Sequence, residues 1–234
     1  FIPAGRVRNR LPELCDLAHT FQKVDLTKQP VRVAPTAHYS MGGIPTDLHC
    51  RVRLGPAQRA SGLYAAGECA CVSVHGANRL GGNSLLEAAV FGREAGLSVI
   101  RDIESIPFRT VRPAMADNAR RETEKLFESK GGEAAADIRT ELRAAMTENA
   151  GIFRDKVKLN EAAEIIKALK TRFQNVRLTD RTRFYNTELQ EALELSHMLD
   201  YSRAIVEAAR LRTESRGAHR RTDYPDRKDR IWRC

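Results

Sequence analysis

The sequence predicts an α/β segment followed by an all-α helical bundle. Two observations carry that prediction. Up to Pro107 glycines cluster and short β-rich runs alternate with turns, whereas beyond it the pattern becomes long, charged and helical in period. Between Gly62 and Ile100 a strand, a glycine-rich loop and a helix follow one another directly, the order of an α/β unit. With 234 residues there is room for one large or two small domains and a real core.

Residues 31–33 predict a short strand ending at Pro35, residues 50–54 a second, and residues 62–67 a compact strand of small side chains. The glycine-rich loop over residues 73–84 runs into a helix from Leu85 to about Ile100. Ser84 and Glu87, three apart, predict a capping box at its start. Leu85, Ala88, Ala89, Gly92 and Gly96 give that helix a small, apolar face suited to packing against a sheet. Further helices are predicted over residues 119–129, 134–149 and 160–173, the last with Ala162, Ile165, Ile166, Leu169 and Phe173 as its buried stripe. A longer one opens at Asn186 and runs to about Thr213, with Leu189, Ala192, Leu195, Met198, Ile205 and Ala209 at helical spacing. His197 within it reads as a satisfied structural histidine. After Gly217 periodicity stops and an extended tail is expected.

Composition removes several classes of function. Hydrophobic residues at 42%, charged residues at 29% and a mean hydropathy of −0.45 describe a soluble globular chain. No apolar run approaches the roughly 20 residues that cross a bilayer, and no secretory leader pattern opens the chain. The first residue is Phe1 and not Met, as in a processed chain or a piece of a longer one. Cys15, Cys50, Cys69, Cys71 and Cys234 are odd in number and never spaced C-x-x-C, so neither a disulfide framework nor a metal site is expected. The net charge of +9 is concentrated near the end of the chain. With aromatics at 6% and acids interrupting each basic run, that end reads as a solvated or partner-facing surface and not as a nucleic-acid reader.

Three constellations carry chemistry. In residues 35–44, Pro-Thr-Ala-His-Tyr-Ser-Met-Gly-Gly-Ile, His38 precedes a glycine pair that lets backbone approach a flat ligand or another strand. In the glycine loop, Arg79 is the lone permanent cation between Val72 and Gly92, suited either to bidentate capture of a carboxylate or to an ion pair with an acid such as Glu68. Glu68, at the end of the compact strand, can accept the two hydroxyls of a ribose, and the helix start near Ser84 and Leu85 can hold negative charge developing on a ring system. Together these parts suit a large, flat, redox-active cofactor beside a carboxylate substrate.

The motif of residues 35–44, the run Gly-Leu-Tyr-Ala-Ala-Gly-Glu at 62–68 and the run His-Gly-Ala-Asn-Arg-Leu-Gly-Gly-Asn-Ser-Leu-Leu-Glu at 75–87 resemble, in order and spacing, the flavoprotein subunit of succinate dehydrogenase and fumarate reductase. Glu-Ser-Arg-Gly-Ala-His at 214–219 resembles that family's signature at the end of its helical domain. The resemblance implies the end of a capping domain over residues 1–36, the C-terminal part of a Rossmann-like FAD-binding domain over 37–106, a helical domain over 107–217 and the start of a C-terminal tail over 218–234. It implies that His38 and Arg79 bind a dicarboxylate, succinate or fumarate, and that Glu68, Asn83, Ser84 and Leu85 contact FAD. The family's phosphate-binding glycine loop, flavin-linking histidine and proton-shuttling arginine have no counterpart here. The chain is therefore expected to be a C-terminal portion that is inactive alone, with no proton-transferring residue of its own. The resemblance further implies an iron–sulfur subunit as partner, membrane anchor subunits reached through it, and a peripheral place on the cytoplasmic face of a bacterial inner membrane, or on the matrix side in a mitochondrion. L-aspartate oxidase shares the His-Gly-Ala-Asn-Arg loop but typically has Met-Ala where Leu80 and Gly81 stand. A helical docking module without catalysis is the other alternative.

Overall fold

A computed structural model of the chain describes residues 2–33, 38–107, 110 and 112–232. Residues 35–37 of the first motif and Cys234 lie outside them. The chain divides into two units, Phe1–Thr36 and Ala37–Cys234. The first holds α1 (Ala4–Arg10) and α2 (Pro12–Leu17), continued by one π-helical turn (Ala18–Gln22) that stops at Lys23 in the left-handed region. Asp25 ties the following turn, accepting from the Thr27 amide at 2.9 Å and hydroxyl at 2.6 Å. Residues 31–33 are irregular where a strand was expected: Val33 is exposed, and among the described residues no strand lies beside it to complete a ladder.

In the second unit β1 (Ile44–Pro45) pairs in parallel with β4 (Ala70–Cys71), and β2 (Arg51–Arg53) pairs antiparallel with β3 (Arg59–Tyr64). Gly43 makes the first pairing possible. Its φ is +119° and a Cβ there would collide with the Cys69 carbonyl, to which the Ile44 amide donates at 2.9 Å. Of the glycine pair it is Gly43 that serves this close approach, a Cβ at Gly42 meeting no atom within 4 Å.

The glycine loop then enters α3 (Asn83–Asp102), whose start corrects the expected capping box. Gly82, left-handed at φ +79°, is the N-cap, and no side chain caps the first turn. Glu87 does not reach back along the helix, because it is buried against partners from elsewhere in the chain. The expected packing face is corrected as well: Leu85, Leu86 and Val90 are exposed, and Glu87 and Ser98 are the buried residues of α3.

Beyond Pro107 the chain is helical as predicted, in α4 (Pro113–Glu128), α5 (Ala135–Asn149), α6 (Lys156–Phe173) and α7 (Thr187–Leu211). Side-chain caps open two of them: Asp155 accepts from the Lys158 amide and Asn186 from the Leu189 amide at 2.7 Å. The principal core lies here. Ile138, Leu142, Leu159, Ala162, Ile166, Leu169, Leu195, Leu199 and Val206 are essentially inaccessible, and each large aliphatic side chain among them stabilises by about 2 kcal/mol. In the second half of α7 the buried stripe runs through Leu199, Ser202 and Val206, one residue on from the predicted Met198 and Ile205. His197 is exposed and is not a core histidine.

The extended tail is corrected too. β5 (Phe153–Arg154) pairs in parallel with β6 (Arg220–Arg221), and α8 (Asp229–Trp232) follows. Arg221 is 2% exposed and donates to the carbonyls of Ala209, Arg210 and Arg212 and to Asp223. The basic end of the chain is largely exposed, with Arg203, Arg210, Arg220, Arg227 and Arg230 at the surface and Arg221 drawn inward onto Asp223. No helix among the described residues is long and apolar enough to cross a membrane.

Candidate functional site

Four segments of the second unit meet: the stretch after His38, the end of the compact strand, the glycine loop and the first turns of α3. Their centre is Tyr39. Its hydroxyl donates to Glu87 Oε2 at 2.8 Å and lies 3.2 Å from His75 Nε2, which is itself 2.6 Å from the same carboxylate oxygen. Asn83 Nδ2 donates to His75 Nδ1 at 3.3 Å, so the ring proton belongs on Nε2, facing Glu87. The Tyr39 and His75 rings meet edge to face at 5.1 Å. Glu87 and His75 are almost wholly buried, their side chains 2% and 8% exposed. Burial, and then the hydrogen bond to the Glu87 carboxylate, raise the Tyr39 phenol above its ordinary pKa, so the proton stays on the phenol.

Arg79 lies over the outer side of this cluster. Its guanidinium carbon sits 5.0 Å from the centroid of the Tyr39 ring. Nη1 reaches only the neighbouring Leu80 carbonyl at 3.4 Å, and Nε is buried with no partner among the described residues. The ion pair with Glu68 is not formed. Glu68 is exposed and instead accepts from the Ser40 amide at 3.1 Å. The structure thus brings Arg79 against Tyr39 and Glu68 against Ser40, the two residues that follow His38; His38 itself is exposed. At the helix start the Ser84 hydroxyl is buried without a partner among the described residues, Leu85 exposes its side chain, and the Leu85 amide donates to Gly82 at 3.2 Å.

Residues 214–219 close the site from behind. Gly217, at φ +58°, packs so tightly on the glycine loop that a Cβ would strike the Ala77 carbonyl, to which the Ala218 amide donates at 3.4 Å. Glu214 anchors the turn. Fully buried, it accepts from Arg212 at 2.6 Å, from Arg216 at 2.7 and 2.9 Å and from the Lys228 amide at 2.7 Å. The Arg216 bonds chiefly hold its carboxyl down at about 2. His219 accepts from Arg154 at Nδ1 and donates from Nε2 to the Arg212 carbonyl, and burial lowers its pKa, so it stays neutral among arginines.

Sequence reasoning did not find Tyr39, His75 and Glu87 as a unit. Tyr39 and Glu87 are 48 residues apart, and the Ser-x-x-Glu spacing gave Glu87 a local explanation that concealed its tertiary one.

Comparison with known proteins bears on the chain's sequence and fold. A family model described as fumarate reductase flavoprotein C-term matches residues 139–234, and one described as FAD binding domain matches residues 2–85. The succinate dehydrogenase flavoprotein subunit of Coxiella burnetii is 43% identical over 231 residues, 97% of this chain and 39% of that protein. The fumarate reductase flavoprotein subunit of Mycobacterium tuberculosis is 44% identical over 233 residues, again 97% of this chain and 39% of that protein. A solved structure of E. coli quinol fumarate reductase superposes with a TM-score of 0.87 at 38% identity, covering 99% of this chain and 39% of that one. In sequence and fold the chain is similar to a portion of the succinate dehydrogenase and fumarate reductase flavoproteins. It spans about two fifths of the length of the relatives it matches. The family's fold, a flavin-binding segment followed by a helical region, is the architecture seen here.

Proposed function

We propose that this chain supplies the dicarboxylate clamp and one wall of the flavin site in an FAD-dependent protein that interconverts succinate and fumarate. The observation that carries the reading is Arg79: a guanidinium over the Tyr39 ring that makes no ion pair among the described residues has the donors to bind a carboxylate. His38, one residue before Tyr39, is the second contact for the diacid. Two cationic or polar contacts at opposite ends would fix a four-carbon diacid so that its central bond stays in one orientation. Polarising one carboxylate makes the double bond of fumarate a better hydride acceptor.

The residues present fit FAD. The buried, unpartnered Ser84 hydroxyl and the exposed apolar side chain of Leu85 stand together at the start of α3, where the helix dipole favours negative charge on a ring. Glu68, exposed at the end of the β-rich segment, is the acceptor for ribose hydroxyls, and Asn83 adds a side-chain amide beside them. FAD, when bound, supplies the two-electron carrier that accepts or gives up hydride. The residues of this chain orient the diacid, exclude water behind Tyr39 and steady the reduced ring from the helix end.

The four divisions expected from the resemblance, with boundaries after residues 36, 106 and 217, belong to this proposal. So do an iron–sulfur subunit as electron acceptor, anchor subunits beyond it, and a peripheral position on the cytoplasmic face of an inner membrane. The deciding experiment is a substrate comparison on the complete flavoprotein that carries these residues. Succinate oxidation and fumarate reduction should both proceed with bound FAD, and L-aspartate should not be oxidised. Oxidation of L-aspartate in preference to succinate would overturn the reading.

A further inference from the structure

We infer that Tyr39 is a positioning residue for Arg79, holding the guanidinium over its ring without using up the terminal N–H donors, with Glu87 and His75 fixing the ring. The inference rests on the reading of Arg79 as a diacid clamp. An arginine in a polar loop ordinarily finds a carboxylate, and a bidentate ion pair would occupy the donors a substrate needs. Here Glu68 is engaged by the Ser40 amide, and Glu87 by Tyr39 and His75. An aromatic face attracts the cation yet consumes none of its in-plane donors. The weak 3.4 Å contact with Leu80 adds little, so the Tyr39 ring is the principal contact that holds the guanidinium in place.

The ring itself is fixed from behind. A phenol needs a single partner to be satisfied, but this one is held between a carboxylate and an imidazole. Glu87 lies in the same first turns of α3 as Ser84 and Leu85, and Asn83 holds the far side of His75. The helix start proposed to meet the flavin and the arginine proposed to meet the diacid are thus joined through one buried hydrogen-bonded cluster. The clamp and the acceptor are held in register by Tyr39.

The test uses the complete flavin-loaded flavoprotein and steady-state succinate oxidation. Tyr39→Leu should raise KM about tenfold with flavin occupancy retained and kcat reduced less than KM rises. Tyr39→Phe keeps the ring under Arg79 but gives up the bonds to Glu87 and His75, so its KM should rise about threefold, between the unaltered protein and Tyr39→Leu. In an Arg79→Lys background Tyr39→Leu should add less than about twofold, because both changes act on one contact. The inference is overturned by an unmoved KM in Tyr39→Leu, by a Phe variant as impaired as the Leu variant, or by full multiplication of the two effects. Should Tyr39→Leu fail to retain flavin, Tyr39→Met is read by the same criteria. An Arg79→Lys variant with unchanged KM is a separate result: it removes the clamp reading, and the positioning role with it, without any substitution at Tyr39.

Discussion

Ser84 buries a hydroxyl that makes no well-formed hydrogen bond among the described residues, a cost of about 1–2 kcal/mol that a ligand at the helix start would relieve. Flavin is the proposed completion. Ser84→Ala should therefore leave the flavin-free protein as stable as before or slightly more so, while weakening FAD about fivefold to tenfold. Thermal unfolding of the flavin-free form, together with fluorescence titration of FAD, measures the two effects. A destabilised flavin-free form with unchanged FAD affinity would assign the hydroxyl a purely structural part. The sequence places Ser84 at a helix start after a glycine loop, and the structure puts it in the first turn, behind the Gly82 cap. Glu87 was misread because its partners depend on a long-range approach that local spacing does not encode.

The legibility of each element follows from how much of its pattern is periodic. The stripes of α6 and α7 repeat every three or four residues over several turns, so both helices and most of their buried residues could be read directly. A strand of two or three residues has no period to read, and residues 31–33 show that a β-rich triplet makes no strand without a neighbour. The small, apolar face of α3 is exposed among the described residues, so its composition suggests packing against a sheet that the structure does not show. The turn at 214–219 was legible only by resemblance. Its fit on the glycine loop depends on Gly217, where a side chain would meet the Ala77 carbonyl at a positive φ. Gly217→Ala should lower stability by about 2 kcal/mol and displace the loop that carries Arg79. Denaturant midpoints and the KM for succinate report both consequences; an unchanged midpoint would mean that the contact is not tight.

Across the whole molecule, the excess of positive charge is moderated by internal pairing, and Glu214 is its most buried acceptor, shared by Arg212 and Arg216. Its carboxyl sits at about 2, below the ordinary 4.5. A carboxylate depressed in the folded state contributes stability above its unfolded value, and that contribution disappears as pH falls from about 4.5 toward 2. Glu214→Gln should cost about 2 kcal/mol at neutral pH, since it removes the buried carboxylate that two partly exposed arginines share, leaving Arg216 with Asp229. It should also flatten part of the acid limb of stability. Denaturant midpoints between pH 2 and 7 test this, and an acid limb of unaltered slope in the variant would contradict it.

The account as a whole turns on His38 and Arg79 gripping one diacid beside a flavin. Malonate, a non-reacting dicarboxylate, reports that grip through the change it makes in flavin absorbance. In the complete flavoprotein, His38→Ala and Arg79→Ala should each weaken malonate about 100-fold, the magnitude of a lost charge-assisted contact. Retention of unaltered malonate affinity by either variant, with flavin still bound, would contradict the account.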